Sequence, residues 1–346
     1  MKSIVYNFEL PLNWELLGVI SQIDRFDATW SSIEKREGQS LKQLKSIATI
    51  QSVGASTRIE GSKLNDTEVE RLLSDIDISK IIDRDSQEVV GYFNVLDLIN
   101  QSFDTIKITE SNIKSLHNQL LRLSKKDEWH RGAYKQHTNA VEANFPDGTR
   151  QIIFRTTEPG IATEDAMRAL IEWYENEDEV HPLIKVAAFA YDFVSIHPFQ
   201  DGNGRLTRLM TTMLLMKAGY EWIQYASFEH EIENNKKAYY QSLRTCQAQR
   251  PNEDISEWVR FFMQSLVNLQ TKLSQKLEGV GIENNLSVNE KLIYNYISNH
   301  SGCTSGELAV YLKIPNSTVK KMLAKLVSKN IIERRGAGRG TNYVAI

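Results

Sequence analysis

Apolar residues recur along most of this chain at intervals of three and four, the period of a helix that buries one face. The pattern predicts helices from Trp14 to about Glu37, over Ser40–Glu60, Asp66–Ser74, Asp85–Ile99 and Ser111–Leu123, and over 163–180, where Met167, Leu170, Ile171 and Trp173 face inward. Two runs differ. Leu183–Ile196 and Leu206–Met216 are apolar, helix-like runs, the first with few polar interruptions, as a helix covered on every side would be. Further helices are expected around Glu231–Gln247 and from Asp254-Ile255-Ser256 to about Leu277, and Gly279–Leu286 reads as a linker. The alternating stretch Gln151–Arg155 reads as a strand, and Asp147-Gly148 before it is a hairpin turn signal. Helix punctuation supports these bounds: Gly61 is a left-handed stop, Asn65 with Glu68 makes a capping box, and His181-Pro182 opens the central helix.

Between the two apolar runs stands His197-Pro198-Phe199-Gln200-Asp201-Gly202-Asn203-Gly204-Arg205-Leu206-Thr207-Arg208. Pro198 disfavours helical geometry at His197 and leaves the imidazole at a loop mouth. Gly202, Asn203 and Gly204 tolerate positive φ, so their N–H groups can turn inward as an anion-binding nest facing a helix N-terminus. Arg205 and Arg208 are three apart, on one face, with forks suited to phosphate oxygens. Asp201 offers the single carboxylate typical of a Mg²⁺ held mainly by phosphates and water. These groups together suit a nucleotide. A histidine after a helix is biased toward its charged form, whereas a base has to be neutral. Glu60 is also oddly placed, since a carboxylate in the last turn of a helix opposes the dipole.

The stretch His197–Arg208 resembles the signature of the Fic family, and every position of that pattern is present. The resemblance implies a mainly α fold with a Fic-type helical core and a small β-hairpin flap. It implies transfer of AMP from ATP to Ser, Thr or Tyr hydroxyls of target proteins and of the chain itself. His197 would be the general base, Asp201 the Mg²⁺ ligand, and Gly202, Asn203 and Gly204 the phosphate cradle. Arg205 would meet the β-phosphate and Arg208 the γ-phosphate. Ser56-Thr57-Arg58-Ile59-Glu60-Gly61 resembles the family's inhibitory-helix motif, whose glutamate pairs with the second signature arginine. Lying before the core, it implies a class II arrangement in which Glu60 competes with the γ-phosphate for Arg208. The family uses an aromatic against the adenine; Tyr240 and then Tyr239 are the candidates, the alternative being that both are core aromatics. The flap would clamp the target as an added strand, although Thr156-Thr157-Glu158-Pro159 departs from the proline-rich run of many relatives. His117, His130 and His137 read as structural or surface residues.

Beyond the linker, Asn289–His300, Thr304–Lys313 and Asn316–Lys329, followed by strands flanking Gly336–Thr341, resemble a winged helix-turn-helix. Residues 287–346 hold nine Lys and Arg against three Glu, a net +6 that leaves −9 for the rest of a chain at −3. Lys320, Lys321 and Lys325 sit where a recognition helix meets a groove, with Arg334, Arg335 and Arg339 for phosphates. Winged helices also serve as docking modules, so DNA and protein partners, a homodimer included, stay open. The domain reading is 1–110 for the N-terminal region with the inhibitory helix at about 40–61, 111–278 for the core, 279–286 for the linker and 287–346 for the winged helix. Two distant cysteines, Cys246 and Cys303, no signal peptide and no run near the roughly twenty apolar residues of a membrane span point to the cytoplasm. Two other functions remain: a nucleotide-sensing transcriptional regulator acting through the winged helix, and removal of AMP with Glu60 orienting water.

Overall fold

The computed structural model describes residues 4–36, 38–76, 81–144, 150–284, 286–329, 331–336 and 338–345. The chain divides into two compact units, Met1–Leu273 and Ser274–Ile346. The first opens with an unforeseen two-stranded hairpin, β1 (Ile4–Val5) and β2 (Phe8–Glu9), followed by α1 (Trp14–Arg36) and α2 (Gly38–Glu60). Next come α3 (Asp66–Ser74), α4 (Arg84–Ser102) and α5 (Glu110–Leu120). The capping box at Asn65 and Glu68 forms as expected, with bonds of 3.0 and 2.8 Å in its two directions. Strands β3 (Ala140–Asn144) and β4 (Arg150–Arg155) pair antiparallel as a separate two-stranded sheet. The Asp147-Gly148 turn lies outside the described residues.

The centre of the unit is α6 (Ile161–Asn176), α7 (Pro182–Ile196) and α8 (Asn203–Lys217). From Leu183 to Ile196 only Lys185 escapes full burial, and Leu206–Met216 are buried without a break. The large apolar side chains drive this at about 1.5–3 kcal/mol each, and the buried Thr207 and Thr211 of α8 satisfy their hydroxyls on the carbonyls of Asn203 and Thr207. His181 caps α7 by accepting from Leu183 N–H at 3.3 Å, with Pro182 in the first turn. The helix expected over Glu231–Gln247 is two helices, α9 (Phe228–Asn234) and α10 (Lys236–Gln247). The break falls at Asn235, whose side-chain amide bonds back to Glu231, the local competition that makes asparagine a poor interior residue. α11 (Ser256–Asn284) is longer than expected. Residues 279–284, read as linker because of Gly279 and Gly281, continue the helix.

The second unit contains α12 (Val288–Asn299), α13 (Ser305–Leu312), α14 (Asn316–Ser328) and the antiparallel pair β5 (Ile332–Arg335) and β6 (Asn342–Ala345). Ile293, Ile297, Leu308, Val319, Leu323, Leu326 and Ile332 form its own core. Capping boxes at Ser287/Glu290 and Thr304/Glu307 start α12 and α13. This is the three-helix and wing arrangement that the sequence pattern predicts.

Candidate functional site

Four segments of the first unit meet at the turn from α7 to α8. His197 ends α7 in the left-handed region, φ 53°, its N–H on Phe193 O at 3.0 Å. A β-carbon disfavours that conformation, so surrounding structure must hold it. The nest is built differently from the sequence reading. Only Gly202, at φ 79°, is left-handed after the histidine, while Asn203 and Gly204 already form the first turn of α8. The anion receptor is therefore a helix N-terminus rather than a chain of left-handed residues. The Asn203 side chain turns away from it. Its amide accepts from Phe199 N–H at 2.8 Å and donates to Phe199 O at 2.7 Å, closing the loop.

His197 Nδ1 lies 3.2 Å from Val194 O. A carbonyl only accepts, so Nδ1 carries the proton and Nε2 keeps its lone pair. Burial pushes the imidazole down to about 4, against the bond to Val194 that favours the cation. Desolvation thus overrides the bias expected at a helix C-terminus, and the ring is neutral near pH 7.

Asp201 Oδ1 accepts from Gly202 N–H at 2.5 Å and faces Arg205 at 3.2 Å, while Oδ2 faces the half-exposed Arg84 at 3.1 Å. Burial raises this carboxyl, yet Arg205 and the Gly202 amide hold it below the ordinary value. A single ionised carboxylate, one oxygen anchored and the other against an exposed arginine, fits a Mg²⁺ completed by phosphates and water. Among the described residues no three His, Cys, Asp or Glu side chains gather as an all-protein metal cage.

Arg205 is buried, 3.2 Å from Glu88, and its Nε meets no hydrogen-bond acceptor among the described residues. A buried unpaired donor is rare and marks a place for an anion. Arg208 is engaged at Nε and Nη2. Its Nε donates to Ser56 Oγ at 2.8 Å, and its Nη2 to Ser56 O at 3.0 Å and Glu60 Oε1 at 2.7 Å. α2 ends where Ser62 N–H bonds Thr57 O and Gly61 N–H bonds Arg58 O, both at 3.1 Å, with Gly61 at φ 114°. That stop aims the Glu60 carboxylate at the N-terminus of α8. A β-carbon on Gly204 would collide with Glu60 Oε1, so glycine there admits the carboxylate. Burial raises the Glu60 carboxyl, but Arg208 and then Arg205 outweigh it and hold it below its usual value. Arg58 and Lys236 fasten the same helix end, Arg58 on Glu233 at 2.7 and 3.0 Å and Lys236 on Ile59 O at 2.9 Å.

Tyr239 and Tyr240 are both buried, with ring centroids 5.1 Å apart. Tyr239 packs on Trp258 and Phe261, and both tyrosines feel the charges of Glu60 and Arg208. His117 is structural, one of the two readings made for it, and its contacts brace the loop of the site. It is wholly buried, stacks on Phe199 at 3.8 Å, accepts from Gly132 N–H at 2.9 Å and donates to Asp201 O at 2.9 Å. His137 is exposed and His130 is buried beside Asp127 at 3.1 Å.

The comparisons with known proteins bear on the same residues. A profile of the Fic/DOC family matches residues 107–215. This chain carries a Fic domain. Protein adenylyltransferase Fic of Drosophila willistoni is 27% identical over 249 residues, 70% of this chain and 45% of that protein. The Drosophila melanogaster protein of the same name is 29% identical over 238 residues, 67% and 43% of the two chains. The chain thus spans less than half the length of these relatives. Among solved structures, a Fic family protein from Desulfovibrio desulfuricans superposes with a TM-score of 0.63 at 21% identity, covering 97% of both chains. A Fic domain containing signaling protein from Bacteroides thetaiotaomicron gives 0.60 at 23%, covering 74% of this chain and 97% of that one. These likenesses establish the fold.

A penicillinase repressor profile matches residues 286–346. There Lys320, Lys321 and Arg334 are exposed on α14 and β5. Lys325, expected at a groove, is instead 2.7 Å from the buried Glu290, because α14 turns that position toward the start of α12. Arg335 lies 2.7 Å from Glu333, and the side chain of Arg339 falls outside the described residues. No helix among the described residues is long and apolar enough to cross a membrane.

Proposed function

We propose that this chain transfers AMP from ATP to hydroxyl groups of proteins, its own included, and that Glu60 restrains the reaction. The observation that carries the reading is the neutral His197, with Nδ1 committed to Val194 O and Nε2 free beside the N-terminus of an arginine-bearing helix. A nucleotide sensor needs no such base. The hydroxyl oxygen forms a bond to the α-phosphorus, the bond from that phosphorus to the bridging oxygen breaks, and pyrophosphate leaves. The hydroxyl proton passes to His197 Nε2. The amides of Asn203 and Gly204 at the start of α8 and the Arg205 guanidinium are fixed donors for charge developing on the phosphates, the Gly202 amide being taken by Asp201. Asp201 would hold Mg²⁺, which when bound neutralises phosphate charge.

Glu60 lies on the anion receptor itself, over Gly204 and on Arg208. It is a carboxylate where the outermost phosphate would bind, which supports restraint by competition. Tyr240 is the candidate support for the base of the nucleotide. Labelled ATP incubated with Glu60→Gly tests the reading: transfer of label to protein is expected, with loss in Glu60→Gly/His197→Ala. Label transfer that survives without His197 would overturn it.

The repressor-type profile and the exposed Lys320, Lys321 and Arg334 favour a DNA contact by residues 286–346 as a second activity. A gel shift with a steep salt dependence tests it.

A further inference from the structure

The loop that carries His197 is held from behind through backbone carbonyls of residues 196–199. Three of these bonds come from one short segment. Lys135 Nζ donates to Ile196 O at 2.9 Å, Lys135 N–H to Pro198 O at 2.8 Å, and Asn139 Nδ2 to Phe199 O at 2.8 Å. The same ammonium donates to Asn139 Oδ1 at 3.0 Å and Thr156 Oγ1 at 2.9 Å. Asn139 immediately precedes β3 and Thr156 immediately follows β4. Thr156 also hydrogen-bonds Asn139, so the two feet of the hairpin meet on one nitrogen.

This lysine is out of place on packing grounds. It is buried at 2% exposure, and its three donors are all bonded to neutral oxygens. Lysine is almost never fully buried unless paired, and methionine would fill the space without desolvating a charge. Burial lowers its ammonium to about 8. What methionine could not do is tie three acceptors from two elements together. Among the described residues the hairpin it anchors is a sheet of only two strands, no third strand pairs with the outer edge of either, and Ile152 is exposed on it. An extended peptide added along such an edge would lie beside the loop that carries His197.

We propose that Lys135 is a positioning residue, whose ammonium locks the β3–β4 hairpin to the loop of His197 and so keeps a bound peptide and the base in one register. The proposal rests on the transferase reading above. A shift of about 1 Å between a base and its proton is enough to cost about a hundredfold in rate.

The test uses the full chain with Glu60→Gly as the active background. Adding Lys135→Met is expected to lower AMP transfer to protein about a hundredfold, while the ATP dissociation constant stays within about threefold. Amide hydrogen exchange in 140–144 and 150–155 should quicken about tenfold, the equivalent of one lost hydrogen bond. Lys135→Arg, which keeps charge and donors, should recover most of the transfer. Thr156→Val leaves the bond to Ile196 O in place and serves if Lys135→Met does not fold; about a tenfold loss of transfer with faster strand exchange is expected. Unchanged transfer and exchange would overturn the proposal, as would ATP affinity and transfer falling in equal proportion, the mark of general unfolding. If Glu60→Gly alone transfers nothing, the transferase reading has failed, and the exchange rates still report whether Lys135 holds the hairpin.

Discussion

Glu60 Oε1 and Arg208 Nη2 are 2.7 Å apart, with Arg208 2% exposed and Glu60 32% exposed. The arginine is therefore fixed by the fold, with Ser56 holding it from the other side, and the carboxylate is the partner that can leave. Removing it should free the arginine without disturbing it. Glu60→Gly is expected to raise auto-modification about ten- to a hundredfold, the equivalent of one charge-assisted hydrogen bond at about 1.5–3 kcal/mol. Intact-mass spectrometry after incubation with ATP measures it. Modification no higher than in the wild type would remove Glu60 from its inhibitory role.

Gly204 is coupled to the same carboxylate. A β-carbon there would collide with Glu60 Oε1 and lie 3.2 Å from Arg208 Nη1. Gly204→Ala should therefore perturb ATP binding differently with and without Glu60, with a coupling of about 1 kcal/mol in a double-mutant cycle. Titration calorimetry of the four proteins gives the coupling. Strict additivity would mean that the glycine does not serve the approach of Glu60.

Asp192, on α7, carries a distinct pH dependence. Burial pushes its carboxyl up to about 7, against the pull of Arg250 at 3.8 Å. The unfolded chain releases this proton near pH 4 and the folded chain holds it, so stability is full below about pH 4 and is lost as pH rises through about 7. The loss is about 4 kcal/mol at most. Asp192→Asn keeps the shape without the charge, and its melting temperature should exceed that of the wild type by a margin that grows from pH 4 to pH 8. A margin that does not change with pH would refute the shift.

In the second unit, Lys325 belongs to the fold. It answers Glu290, a buried carboxylate that also caps α12. Lys325→Ala should lower thermal stability and leave the salt dependence of DNA binding unchanged, since its charge is already paired. Lys320→Ala or Lys321→Ala should each flatten the slope of log affinity against log salt by about one. Equal slopes for all three variants would place Lys325 at the nucleic acid after all.

The particular residues show how far reading the chain reached. Helix bounds came through where caps are local: Asn65 with Glu68, His181-Pro182 and Gly61 each act within a turn of themselves. Bounds were missed where packing overrides propensity. Residues 279–284 stay helical despite two glycines, and Asn235 splits a helix that periodicity alone would continue. The partners of His117 and Lys135 gave no signal in the chain, because they stand 84 and 61 residues away.

By itself the order of residues determined the mainly helical class, the two apolar-rich central helices, and a local constellation within twelve positions able to grip phosphates. These depend on neighbours along the chain. The tertiary structure decided that His197 is neutral and that Lys135 joins hairpin to loop, and it shows across 148 positions the contact of Glu60 with Arg208 that the family resemblance implied. Each of those is set by desolvation or by a contact at a few ångströms, and neither quantity exists until distant segments have packed together.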